Sequence, residues 1–117
     1  NNTYYHEIDV RSEINIKNAF ENLNIKFDII IDDSLHSFDE QIKIIYNVKD
    51  FLKPGAILVI EDIFRYKKGH DEKRYYKEIF KIKDEFKKIF FVDTRHINNF
   101  TASWKCEKLL ILIKNDQ

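Results

Sequence analysis

The sequence predicts an α/β fold: a largely parallel sheet packed between helices, closed by a final antiparallel strand. Two continuous apolar runs, Phe27 to Ile31 (broken only by Asp28) and Ala56 to Ile60, carry that expectation. Such runs mark strands buried on both faces, the habit of central parallel strands. Stretches of period 3.6 alternate with them, giving the order βαβαβαββ with helices expected on both faces.

Each element follows from local chemistry. Tyr4 to Val10 reads as a short first strand ending near Asp9. Ser12 is a candidate cap for a helix running to about Leu23, with Ile16, Ala19, Phe20 and Leu23 on one face. The loop Asp32-Asp33-Ser34-Leu35-His36 follows the strand Phe27 to Ile31. Ser37-Phe38-Asp39-Glu40 has the form of a capping box, and opens a helix with Phe38, Ile42, Ile45, Val48 and Leu52 on one side. Lys53-Pro54-Gly55 stops it. The strand Ala56 to Ile60 ends in Glu61-Asp62. Asp71 to Phe86 is expected to be helical, with Tyr75, Ile79, Ile82 and Phe86 facing inward, and Ile89 to Val92 extended. A turn through His96 to Ser103 leads to a last strand, Lys108 to Ile113.

Composition bounds the rest. The chain has 117 residues, which fits one domain, residues 1–117. Twenty basic and 20 acidic residues balance to a formal charge of zero, which argues against a general polyanion binder. Aromatics at 15% argue against disorder. No apolar stretch approaches the roughly 20 residues of a membrane helix, and no signal segment is visible, so a cytoplasmic protein is expected. A single cysteine, Cys106, can neither pair internally nor build a cysteine zinc site, and it reads as inert. The chain has only two glycines, whereas nucleotide sites usually spend several on their loops.

In open α/β sheets ligands sit beyond the carboxyl ends of the strands. Asp9, Asp32, Asp33, His36, Glu61 and Asp62 are therefore the residues to read. If the two apolar strands are neighbours, four carboxylates and an imidazole converge. Crowded like charges are costly without a cation between them. Oxygen ligands suit Mg²⁺, Mn²⁺ or Ca²⁺. His36, whose side-chain type titrates near neutral pH, is a candidate general base beside such a metal. The plainer reading is that Asp33 or Ser34 caps the next helix and the remaining acids are solvated. Lys67 to Lys88 is rich in bases but reads as a solvated helix face. Among Phe64, Tyr66, Tyr75 and Tyr76, only Tyr66 is favoured as a lid or stacking residue. Asp93-Thr94-Arg95-His96 reads as a surface turn, and Trp104 as a packing residue.

The segments Phe27 to His36 and Phe51 to Asp62 resemble the second half of a class I S-adenosylmethionine-dependent methyltransferase. More narrowly they are similar to metal-dependent sugar and macrolide O-methyltransferases and to the cephalosporin-hydroxylase and rhamnosyl O-methyltransferase group. The resemblance implies a Rossmann-like sandwich, with S-adenosylmethionine and Mg²⁺ as cofactors. By that resemblance Asp33, Glu61 and Asp62 would ligate Mg²⁺, and His36, with Asp33, would act in catalysis by deprotonating an acceptor hydroxyl. Asp9 and Asp32 would lie by the methyl donor. The acceptor implied is a small hydroxylated molecule such as a sugar, with no nucleic acid or membrane partner. The sequence departs from the family at Ser34 and Ala56, where glycines are expected. It also lacks the glycine-rich first loop and the acidic end of the second strand, so it resembles the carboxyl half of the domain. An exposed sheet edge would then be a route to self-association. Two competing readings are a receiver-type signalling module and a non-catalytic interaction domain derived from a methyltransferase.

Overall fold

The computed structural model describes residues 2–64, 68–94 and 108–117. The elements are α1 (Glu13–Leu23), β1 (Phe27–Asp32), α2 (Phe38–Val48), β2 (Leu52–Ile60), α3 (Glu72–Ile79), β3 (Phe86–Asp93) and β4 (Lys108–Lys114). They form a four-stranded sheet in the order β1-β2-β4-β3. β1 and β2 are parallel, and β4 runs antiparallel to both β2 and β3. Three strands therefore point one way and the last strand in sequence is reversed, as expected.

The helix starts follow their caps. Ser12 Oγ accepts the amide of Asn15 at 3.2 Å, and Ser37 Oγ accepts that of Glu40 at 3.5 Å. Asn24 closes α1 in the left-handed conformation, φ 52°.

The core lies on one face of the sheet. Ile30, Leu58, Ile60, Leu110 and Leu112 are buried and join Ile16, Phe38, Ile44, Ile45, Val48, Tyr75 and Ile79 in one cluster. Cross-strand partners share a face, and the register pairs Ile30 with Leu58 and Leu58 with Leu112. On the other face Ile29 and Ile31 are more than half exposed. The expectation of helices on both faces is not met among the described residues. The chain crosses from β1 to β2 and from β2 to β3 in the same direction, and right-handed crossovers then put α2 and α3 on the same side. α1 packs against α2 and joins them.

Three boundaries also differ from expectation. Tyr4 to Val10 is not a strand. Ile8 and Val10 pack against the core beside Ile30 and Ile31 of the edge strand β1, but residues 4–10 form no ladder with it. β2 starts at Leu52, four residues early, because Gly55 takes φ +76° and lets Lys53-Pro54-Gly55 enter the sheet through an irregularity in register. The third helix gives way to 3₁₀ turns at Phe80, and Phe86 opens β3 rather than ending a helix, since pairing opposite Lys114 outweighs its helical spacing. The turn through His96 to Ser103, and with it Tyr66, Trp104 and Cys106, lies outside the described residues.

Candidate active site

Parallel neighbours β1 and β2 end side by side, with Asp32 opposite Ile60. The backbone then ties the two loops together, because the amide of Glu61 donates to the carbonyl of Asp32 at 2.9 Å. This brings Asp33, His36 and Asp62 into one cluster whose nitrogen and carboxylate oxygens lie within 4.8 Å of one another. His36 Nε2 stands 3.1 Å from Asp33 Oδ1 and 2.9 Å from Asp62 Oδ2. With an Nε2 proton directed at Asp33, the lone pair of the neutral ring lies on Nδ1. The imidazole is about a third exposed, so a solvent-borne group can reach it.

The backbone at this point is unusual. Among the described residues only Asn24, His36 and Asp62 have positive φ without being glycine, at 52°, 57° and 56°. Asn24 is a helix cap. The other two belong to the cluster, where strained backbone commonly aims functional side chains.

The two acids titrate as a pair. Asp33 is held below its ordinary value by its hydrogen bonds to Asp62 and His36. Asp62 is pushed up by burial, by the bond to Asp33 and by that neighbour's charge. Glu61 is raised by burial and by the charges of Asp33, Asp62 and Asp32, but it stands outside the triad. Carboxylates that close together can hold a divalent cation.

Asp32 does not join the cluster. It is 7% exposed and turns back to accept the amide of Ser34 at 3.1 Å and its hydroxyl at 2.5 Å. Burial is the main cause of its raised pKa. The charged form is thus penalised in the fold. Stability is fullest below the ordinary carboxylate value and falls as pH rises through the window up to the raised one. Asp32→Asn keeps an acceptor for Ser34 and removes that penalty. The variant is expected to be the more stable protein at pH 7, with the gain fading as pH drops below about 4. Urea unfolding midpoints across that range provide the measurement.

Asp9 is not at a strand end. Its carboxylate pairs with Arg11, with Nε at 3.0 Å, and is lowered chiefly by that bond. It nevertheless lines a cleft of about 530 Å³ with Ser34 and Leu35, next to an apolar cavity of about 340 Å³ that ends at Asp32, Asp33 and Ser34.

One buried polar pair escaped the sequence reading. Gln41 lies inside the apolar stripe of α2 and is fully buried. Tyr75, read only as core, donates its hydroxyl to Gln41 Oε1 at 2.5 Å. A polar residue one turn from Phe38 and Ile45 was the available signal. Tyr76 rests edge-on against Phe91, and Phe64 lies near the His36 ring, 6.3 Å between centroids.

No protein-family model and no curated protein matches this sequence. A solved structure described as a "putative rRNA-methylase" from Clostridium thermocellum shares the fold, with TM-score 0.50 and 12% identity over 92% of this chain and 72% of that one. The chain thus shares a Rossmann-like α/β fold with that protein; the narrower likeness to sugar O-methyltransferases receives no such support. The expectation of a small hydroxylated acceptor, with nucleic acid excluded, is corrected, because a protein that shares this fold is described as an rRNA methylase. No helix among the described residues is long and apolar enough to cross a membrane.

Proposed function

We propose that the protein is an S-adenosylmethionine-dependent methyltransferase that transfers a methyl group to a hydroxyl of RNA, with His36 as general base. The observation that carries this reading is the placement of His36 between Asp33 and Asp62 at the carboxyl ends of two parallel strands. RNA as the acceptor rests on the description of the structural neighbour.

Part of a donor set for the cofactor is present, without a glycine-rich loop. Ile8, Val10, Phe20 and Ile30 offer an apolar wall for adenine, and Asp9, Asp32 and Asp33 offer acceptors for hydroxyls and for cationic groups. S-adenosylmethionine, when bound there, supplies an electrophilic methyl group on a sulfonium. His36 Nδ1 takes the acceptor proton, while Asp33 and Asp62 hold Nε2–H and stabilise the imidazolium that forms. Asp33, Asp62 and the adjacent Glu61 are the groups that would hold Mg²⁺. Their crowded charges favour a cation, which would lower the pKa of the acceptor hydroxyl.

The test is incubation with methyl-tritiated S-adenosylmethionine and purified ribosomal RNA. Label is expected in the RNA, reduced by EDTA and restored by added Mg²⁺. Label that ignores EDTA removes the metal from the proposal, and the absence of label on RNA removes the acceptor.

A further inference from the structure

We infer that Gln41 and Tyr75 are positioning residues that set the Glu61-Asp62 turn and so aim Asp62 at His36. This rests on the reading of the Asp33, His36 and Asp62 cluster given above.

Gln41 and Tyr75 are both fully buried in an apolar core. A buried amide is costly unless its polar atoms are bonded. Gln41 Oε1 accepts the Tyr75 hydroxyl, and Gln41 Nε2 donates to the carbonyl of Glu61 at 3.2 Å. That bond spans 20 residues and ends on the residue before Asp62. The amide of Glu61 is held in turn by Asp32 at the end of β1. The Glu61 backbone is thus fixed on both sides, and the next residue is Asp62, at φ 56°. Removing the Gln41 bond frees one side of the clamp, and Asp62 can relax toward a right-handed backbone that no longer brings its carboxylate to His36.

Tyr75 acts through Gln41. Phe38 and Phe91 pack edge-on against its ring, at centroid distances of 4.8 and 5.7 Å, and point its hydroxyl at one acceptor. Burial raises its pKa, so it remains a donor at any ordinary pH. With Oε1 occupied by the phenol, the amide of Gln41 is oriented with Nε2 toward Glu61.

The test uses Gln41→Met, Tyr75→Phe and the double variant, with two readouts. One is the backbone ¹³C shift of Asp62 by NMR, which reports left-handed φ whether or not a metal or substrate binds. The other is Mn²⁺ affinity by water-proton relaxation. Gln41→Met is expected to move the Asp62 shift and to weaken Mn²⁺ binding about tenfold, as loss of an outer partner typically does. Tyr75→Phe should do less, and nothing further in the Gln41→Met background. Unchanged Asp62 shifts in Gln41→Met, or additive effects in the double variant, would overturn the inference. Wild-type protein that takes up no Mn²⁺ would instead count against the metal in the proposed function, and the NMR shifts would still decide the role of Gln41. If Gln41→Met fails to fold, Tyr75→Phe alone still discriminates, since an unmoved Asp62 shift in that folded variant would refute the relay.

Discussion

Under the proposed function, replacing His36 with alanine is expected to lower methyl transfer to RNA by roughly 10²–10⁴-fold, the usual contribution of a general base. The loss should fall on turnover, because the Asp9 cleft and the apolar cavity proposed for the cofactor do not include His36. Binding of S-adenosylmethionine, followed by equilibrium dialysis, should be nearly unchanged. Imidazole added to the buffer should restore part of the rate, because the vacated space opens to solvent beside two carboxylates. His36→Gln is the sharper control, since it can still donate to Asp33 and Asp62 but cannot take a proton. If that variant works at the wild-type rate, His36 is a spacer between acids and not a base.

The largest effect on stability is expected at Leu58. This side chain is fully buried near the carboxyl end of β2, flanked by Ile30 on β1 and Leu112 on β4. Leu58→Ala removes close packing on the helix-covered face and should cost about 2–5 kcal/mol. That is a large share of the roughly 5–15 kcal/mol that holds an ordinary domain together. Ile31→Ala, on the opposite face and 58% exposed, should cost within about 0.5 kcal/mol. Urea unfolding of the two variants side by side gives the comparison. Equal losses would mean that the two faces of the sheet are alike in burial.

What could be read from the sequence was what neighbouring residues decide. The caps at Ser12 and Ser37 depend on amides three residues away, and both form. The meeting of Asp33, His36 and Asp62 needed only one further step, that two apolar strands lie parallel and adjacent. What stayed hidden depends on partners remote in sequence. Tyr4 to Val10 has the composition of a strand, but composition alone does not pair it with the edge strand β1, and Ile8 and Val10 pack on the core without a ladder. The face chosen by the helices follows from strand order, which no local pattern states. Gln41 looked like an interruption of an apolar stripe, because its reason for being there, the Glu61 carbonyl, lies 20 residues away. Asp32 and Asp33 are adjacent and alike in type, and only the Ser34 turn separates them into one acid facing inward and one facing the cluster.

The left-handed backbone at His36 and Asp62 sets heat resistance against chemistry. Glycine at either place would relieve on the order of 1 kcal/mol of backbone strain, and would delete the imidazole or the carboxylate in the same stroke. Any optimisation of this chain for durability alone, in a genome or at the bench, is therefore drawn toward the very exchanges that silence the cluster. Those two codons are the ones to hold fixed while the rest of the sequence is free to improve.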